Sequence, residues 1–260
     1  MNTDAEIKQN VKEKYTQIAK GEIAVIASKG GCCGPEPSSC CGSDSTSLLE
    51  MALKYDPKDL TSVPEGADLG LGCGIPTALA GLKKGDIVLD LGSGAGIDVF
   101  VAAQHVGPSG KAIGIDMTQA MIDKARANAA KINATNVEFR LGEIEALPVE
   151  NDSVDRVISN CVINLVPNKA NAFHEIYRVL RPGGTFTISD IVVDGVISEK
   201  ERKDAALWAG CISGAIGRNE YLEIIRKAGF TNVKVASEKK YSYELENGGG
   251  LFSITVTGTK

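Results

Sequence analysis

The chain has 260 residues, of which 43% are hydrophobic and 23% are charged, so its length and composition suit one large folded core. Its net charge of −5 gives no broad positive field for a phosphate backbone, which argues against nucleic acid as a partner and favours small molecules. The first residues lack the basic and then apolar pattern of an export signal, and no apolar run approaches the roughly 20 residues of a membrane span. We therefore expect a soluble, cytoplasmic protein without membrane contact.

The N-terminal part combines a helix with two glycine-rich stretches. Apolar side chains at Ile7, Val11, Tyr15 and Ile18 recur every three or four positions, which predicts an amphipathic helix over residues 5–26. The stretch SKGGCCGPEPSSCCGSDS has no periodicity and is predicted to be a loop, and a second irregular stretch contains GADLGLGCGIP. We predict that residues 1–76 form a helical and cysteine-rich segment ahead of the main domain.

From residue 85 onward, the chain alternates buried strands with helices. The predicted strands are DIVLDL, KAIGID, VEFRLG, DRVISN and GTFTISDI, and the helices include IDVFVAAQHV, MTQAMIDKARANAAKI and residues 169–180, which the RPGG turn ends. Right-handed crossovers between parallel strands predict a doubly wound α/β sheet. We assign residues 77–192 to this core.

The last part is predicted to complete the sheet with an antiparallel edge. The segment EYLEIIRKAGF predicts a helix capped at Gly229, and VKVASEKKYSYEL and LFSITVTGTK flank the turn ENGGG as a pair of antiparallel strands. Residues 193–260 are therefore predicted to be a C-terminal part.

A glycine-rich loop after the first strand predicts a nucleotide-type cofactor. Gly92, Gly94 and Gly96 follow a buried strand at the mouth of a helix, where backbone can approach a ligand closely. Asp90 ends the strand, and its carboxylate can accept a hydrogen bond from a cofactor's ammonium group but would repel a pyrophosphate. The alternative interpretation of the glycines is a structural tight turn.

Two further strand ends carry candidate cofactor residues. Asp116 ends the second strand, where an acidic residue can bind both hydroxyls of a ribose, although a helix N-terminal acid is the alternative interpretation. In LGEIEALP, Ile144 offers an apolar surface for adenine, and Glu143 or Glu145 can accept from its amine.

The succession DLGSGAG, GID, GEIEALP, SN and LRPGG resembles the class I S-adenosylmethionine-dependent methyltransferases over about residues 85–260. The resemblance implies a Rossmann-like sheet and S-adenosylmethionine as the cofactor. It also assigns Tyr15, Ser93, Met117 and Asn160 to the cofactor site, and it implies that Asn160 and Cys161 lie beside the transferable methyl.

Seven cysteines remain to be explained: Cys32, Cys33, Cys40, Cys41, Cys73, Cys161 and Cys211. In a reducing cytoplasm, metal binding or redox chemistry is favoured over a disulfide framework, although any single cysteine is most often a small buried hydrophobe. Three neighbourhoods, LGLGCG, SNCVINL and AGCISGA, resemble the arsenite methyltransferases. That resemblance implies trivalent arsenic bound by Cys73, Cys161 and Cys211.

The same resemblance implies a redox cysteine in the N-terminal segment that can pair with Cys73, and we assign this role to Cys40 or Cys41. Alternatively, the doubled cysteines deliver arsenic, bind zinc adventitiously or form an oxidation-prone loop.

A mechanism follows from the softness of trivalent arsenic, which favours thiolate ligands. Three sulfurs leave its lone pair free to attack the methyl, so no general base is needed, and we expect His105 and His174 to be structural. Methylation oxidises arsenic, and a thiol pair can reduce it by forming a disulfide, which thioredoxin, glutathione or another thiol would then reduce. The resemblance further implies that Cys161 and Cys211 alone support methylation of methylarsenite, and both substrates can arrive as thiol conjugates.

Two alternatives stay open at this point. One is a class I methyltransferase of the ubiquinone or menaquinone type, which acts on an organic carbon or oxygen and has cysteines of no chemical importance. The other is a thiol-rich metalloid-binding protein without catalysis.

Overall fold

A computed structural model describes residues 4–23, 55–203 and 211–260. It contains one seven-stranded sheet with the strand order β3-β2-β1-β4-β5-β7-β6. The strands are β1 Ile87–Leu91, β2 Lys111–Asp116, β3 Val137–Leu141, β4 Val154–Asn160, β5 Leu180–Gly195, β6 Thr231–Glu244 and β7 Gly249–Thr259.

Helices pack on both faces of the sheet. They are α1 Asp4–Lys20, α2 Pro76–Leu79, α3 Ile97–Val106, α4 Gln119–Lys131, α5 Lys169–Val179, α6 Glu199–Lys203 and α7 Arg218–Lys227, with a short 3-10 helix at Ile163–Leu165. No helix in the described ranges combines the length and apolar character needed to cross a membrane.

The predicted doubly wound parallel sheet is confirmed. Strand β1 pairs in parallel with β2 on one side and with β4 on the other, so that Leu89 lies opposite both Ile113 and Val157. The chain therefore reverses its direction of winding between β1 and β4. In open α/β sheets, ligands bind outside the carboxyl ends of the strands at this switch point.

The predicted antiparallel edge is also confirmed. Strand β7 lies between β5 and β6 and pairs antiparallel with both, from Thr185 opposite Thr259 to Gly195 opposite Gly249 on the β5 side. Every strand thereby joins one sheet. The division of the chain at residues 76 and 192 stays a prediction.

The two faces of the sheet bury different cores because successive side chains of a strand point to opposite sides. Val88 packs with the apolar residues of α3 and α4, whereas its neighbour Leu89 packs with α5 and α7. On the second face, Phe173 makes edge-to-face contacts with Phe186 and Tyr221. The result is a three-layer arrangement that fixes the carboxyl ends of the parallel strands.

The structure differs from the sequence predictions at two element ends. Helix α1 ends at Lys20 rather than residue 26, because Gly21 has a positive φ of 74° and its amide bonds to the carbonyl of Ile18. Strand β5 begins at Leu180, so RPGG belongs to an irregular start of the strand instead of a separate turn. Cys32, Cys33, Cys40 and Cys41 lie outside the described residues.

Candidate functional site

A cavity of about 430 Å³ opens at the switch point, beneath α1. This volume suits a small ligand or cofactor. Nearly all of the predicted cofactor residues line it: Tyr15, Asp90, Gly92, Ser93, Gly94, Asp116, Met117, Ile144, Glu145 and Asn160. Cys161 lines it as well, whereas Cys73 and Cys211 do not.

The glycine loop divides into two parts with different roles. At Gly92 an added Cβ would lie 2.5 Å from the methyl groups of Val162, and φ is 67°, so the loop needs glycine there. Gly96 does not line the cavity, although it was predicted to contact the cofactor. Its φ is 102°, and a Cβ would lie 2.8 Å from Phe100 and 2.9 Å from Phe139, so this glycine permits α3 to pack on β3.

Asp90 is a buried acid that lacks a full set of partners. It is 3% exposed, and its Oδ2 has no hydrogen-bond partner among the described residues. Burial, together with the nearby carboxylates of Asp98 and Asp116, raises the pKa of Asp90 well above its usual value. The hydroxyl of Ser93 is likewise buried and unpartnered among those residues. This wall of the cavity can therefore receive a cationic donor group.

Asp98 is a site residue that the sequence analysis missed. It lines the cavity at the start of α3, and its carboxylate accepts hydrogen bonds from the Tyr55 hydroxyl at 3.0 Å and the Asn160 amide at 3.2 Å. Burial raises its pKa to about 6 despite these bonds. The available signal was a single acid in the apolar first half of the helix, which is typical of a helix N-terminus as well.

Asp116 is positioned by backbone amides. One oxygen accepts from Thr118 N at 2.8 Å and the other from Gly94 N at 3.0 Å. Burial nevertheless raises the pKa of Asp116. Each carboxylate oxygen retains a second lone pair, so the group can still accept from two hydroxyls.

The candidate adenine surface at Ile144 lies between two glutamates that form ion pairs with a lysine of α1. Ile144 is buried, and Lys8 pairs with both Glu143 and Glu145, with 2.8 Å between Lys8 Nζ and Glu143 Oε2. The side chain of Glu145 is 14% exposed, against 51% for Glu143. Glu145 also accepts from Asn168 N at 3.2 Å, so it is the better fixed of the two.

Three cysteines from distant segments meet in one buried cluster. Cys73, Cys161 and Cys211 are free thiols, are 5%, 5% and 2% exposed, and belong to the same packed group as Leu165 and Ile191. The three side chains pack in one group, and the Cys211 thiol donates to the backbone oxygen of Cys161 at 2.6 Å. Cys161 therefore joins the cofactor cavity to the thiol cluster.

The surroundings of two of the thiols disfavour their charged form. The neighbouring thiols of Cys211 and Cys73, together with burial, raise the pKa of Cys161 well above its usual value, and burial raises the pKa of Cys73. Among the described residues, no group of three or more His, Cys, Asp and Glu side chains is arranged so that it could hold a metal ion. The cluster therefore consists of three free, buried thiols packed together.

Two of the three cysteines have an unusual backbone conformation. Cys161 has φ 63° and Cys211 has φ 59°, in the left-handed region that non-glycine residues seldom adopt. The surrounding bonds hold this geometry, since Cys161 N donates to Ser189 O at 2.7 Å and the Cys211 thiol donates to Cys161 O at 2.6 Å. Such strain is found preferentially at functional sites.

Tyr15 on α1 connects the roof of the cavity to the thiols. It packs against the thiol cluster, and burial together with the charges of Cys211 and Cys161 raises the pKa of Tyr15 well above its usual value. Neither histidine lines the cavity. His105 pairs with Asp59 at 2.9 Å on the outer side of α3, and His174 is exposed on α5.

Comparison with known proteins identifies the family. A methyltransferase domain model matches residues 82–229. The chain is 47% identical to the arsenite methyltransferase of Halobacterium salinarum over 89% of its own length and 59% of that protein, and 34% identical to the human arsenite methyltransferase over 87% and 59%. It thus spans about three fifths of the length of these curated relatives.

A solved structure gives the same result. The crystal structure of CrArsM, an arsenic(III) S-adenosylmethionine methyltransferase from Chlamydomonas reinhardtii, matches with 38% identity and a TM-score of 0.66, covering 73% of this chain and 67% of that one. The chain therefore belongs to the class I S-adenosylmethionine-dependent methyltransferases, and the arsenite methyltransferases are its homologues over most of its length.

Proposed function

We propose that this protein methylates trivalent arsenic, with Cys73, Cys161 and Cys211 as the arsenic ligands. The observation that carries the proposal is the convergence of these three thiols in one buried cluster at the wall of the cofactor cavity. A methyltransferase core needs no cysteine for transfer, because its cofactor already carries an activated methyl group. The arsenite methyltransferase names of the relatives support the same substrate.

The residues of the cavity fit S-adenosylmethionine. The unpartnered oxygen of Asp90 would accept from the cofactor's ammonium group, and Asp116 would accept from the ribose hydroxyls. Ile144 would contact the adenine, and Glu145 is the better fixed acceptor for its amine. When bound, the cofactor supplies a methyl group on a positively charged sulfonium.

The thiols bind arsenic without a general base. Arsenite carries three hydroxyls at neutral pH, and each can leave as water with a thiol proton, so the raised pKa values do not prevent binding. Thiolates suit soft arsenic, and three of them leave its lone pair available. Cys161 is the ligand that faces the cavity, so it sets the direction from which arsenic meets the methyl.

The arsenic lone pair becomes the new arsenic–carbon bond, and the pair of the broken sulfur–carbon bond returns to the departing thioether. Arsenic is formally oxidised by two electrons, which two thiols can restore by forming a disulfide. We propose Cys40 or Cys41 with Cys73 as that pair, and thioredoxin or glutathione in the cytoplasm as its reductant. The two N-terminal cysteines lie outside the described residues.

The test is methylation of arsenite and of methylarsenite by the purified chain with S-adenosylmethionine and a thiol, with products separated by chromatography and detected by mass spectrometry. We expect Cys161→Ser and Cys211→Ser to lose both activities. Cys73→Ser should lose at least 90% of arsenite methylation and keep that of methylarsenite, which needs only two thiolates.

Calorimetric titration with the cofactor serves as the folding control, since all three variants should still bind it. Full arsenite methylation by Cys161→Ser would contradict the proposal. So would a wild-type protein that methylates a demethylated quinone and leaves arsenite unchanged.

A further inference from the structure

The side chain of Asn160 holds the cysteine-bearing loop against the sheet. We infer that Asn160 is the positioning residue that makes Cys73 the third arsenic ligand, a role that rests on the proposed function. It acts through the backbone of Cys73 and does not itself contact arsenic.

All of the hydrogen-bonding capacity of this amide is used. Its Oδ1 accepts from Cys73 N at 3.0 Å and from Gly74 N at 3.1 Å, while its Nδ2 donates to Gly74 O at 2.9 Å and to Asp98 Oδ2 at 3.2 Å. A primary amide offers two donors and two main acceptor directions. Asn160, which directly precedes Cys161, therefore fixes the loop of Cys73, 87 residues earlier in the sequence.

The glycines on either side of Cys73 indicate why the loop fits so closely. A Cβ added at Gly72 would lie 2.6 Å from Asn160 Nδ2, and one added at Gly74 would collide with the side chain of Ser189. From the opposite side, Ser253 Oγ donates to Cys73 O at 2.8 Å. The loop has no strand or helix of its own at this point, so these side-chain bonds determine where the Cys73 thiol points.

The other two thiols do not depend on this amide in the same way. Cys161 is fixed by the hydrogen bond from its backbone N–H to Ser189 O. Cys211 is fixed by the hydrogen bond from its thiol to Cys161 O and by Asn164, whose Nδ2 donates to Cys211 O at 3.2 Å. Loss of the Asn160 amide should therefore release Cys73 selectively. Arsenite, which needs three thiolates, should be affected, and methylarsenite, which needs two, should not.

The experiment compares wild type with Asn160→Ala by X-ray absorption at the arsenic edge, with one equivalent of arsenite and no cofactor. We expect three sulfurs around arsenic in wild type and two sulfurs with one oxygen in the variant. By calorimetry, arsenite affinity should fall at least 10-fold while methylarsenite affinity stays within about 2-fold.

Asn136→Ala is the matched control. Asn136 also uses its Nδ2 for two backbone bonds, to Ala103 O at 3.0 Å and Gly107 O at 2.9 Å, but it lies outside the cavity lining. The control should retain three sulfurs and both affinities.

The inference is overturned by three sulfurs and unchanged arsenite affinity in Asn160→Ala, or by an equal loss of both affinities, which would mean a general effect on folding. If arsenic bound to the wild-type protein lacks three sulfur ligands, the proposed arsenic site itself is wrong. If it has three, a negative result with Asn160→Ala contradicts only the role of Asn160.

Discussion

At the level of single residues, the cavity and the thiol cluster beside it contain groups that destabilise a folded protein. Asp90 and Asp98 are each 3% exposed, and Cys161 and Cys211 have left-handed backbone angles. Buried polar groups without full pairing and strained residues each destabilise a protein by roughly 1–3 kcal/mol. Their concentration at one end of the sheet follows from the need to bind a polar cofactor there, and it is consistent with the proposed arsenic site.

Asp98 gives a pH prediction whose sign can be derived. Its folded-state pKa of about 6 exceeds its unfolded value, so the folded protein binds the proton more tightly, and stability is lost as the pH rises through 6. We expect the unfolding free energy of the cofactor-free protein to fall from pH 4 to 7. In Asp98→Asn, we expect this fall to be smaller by about 1–3 kcal/mol.

Denaturant unfolding at a series of pH values measures this effect. Asp123→Asn, an exposed change on α4, is the control and should follow the wild-type pH profile. A profile of Asp98→Asn that is parallel to wild type would rule out Asp98 as the source.

At the level of elements, α1 forms the roof of the site. Ile18 and Ala19 pack on Met121 of α4, Tyr15 packs against the thiol cluster, and Lys8 pairs with both Glu143 and Glu145. Hydrogen bonds to these two glutamates raise the pKa of Lys8, outweighing the opposite effect of its burial. One helix therefore contacts the candidate adenine surface and the thiol cluster together.

Removal of the Lys8 contact should weaken cofactor binding. Partly exposed ion pairs contribute about 0.2–1 kcal/mol, so Lys8→Ala should raise the dissociation constant of S-adenosylmethionine by about 1.4- to five-fold. Calorimetric titration at low and high salt measures this, and the difference should shrink as salt rises. Lys12→Ala, an exposed lysine one turn further along α1, is the control, and equal effects of both changes would contradict the role of Lys8.

At the level of the whole molecule, the thiol cluster joins parts of the chain that are far apart in sequence. Cys73 precedes the sheet, Cys161 follows β4, and Cys211 follows β5 and precedes α7. A ligand that binds all three would connect the loop before the sheet to both halves of the fold. Such a ligand should stabilise the native state by mass action.

Arsenite should accordingly raise the melting temperature of the wild-type protein. At an arsenite concentration of about 100 times its dissociation constant, the free energy of unfolding can rise by at most about 2.7 kcal/mol. The observed rise should be smaller, because cysteines in the unfolded chain also bind arsenic. Thermal unfolding with and without arsenite measures the shift. Cys161→Ser should lose most of it, whereas an undiminished shift in that variant would indicate binding elsewhere.

The sequence by itself determined the class of fold and the cofactor. Alternating strand and helix patterns, the glycine loop and the acids at Asp90 and Asp116 are local features, because the hydrophobic period and the strand ends can be recognised without knowing any distant contact. The antiparallel edge was predicted correctly for the same reason, whereas the family was predicted correctly from the resemblance of short motifs to the class I methyltransferases.

Only the tertiary structure decided which groups act together. It assigned Gly96 to packing, identified Asp98 through its contacts with Tyr55 and Asn160, and revealed that the Asn160 amide is bonded to the Cys73 loop. These relations depend on contacts between residues more than 40 positions apart. Local propensity carries no information about such contacts, because only the packing of the sheet and its loops brings them together.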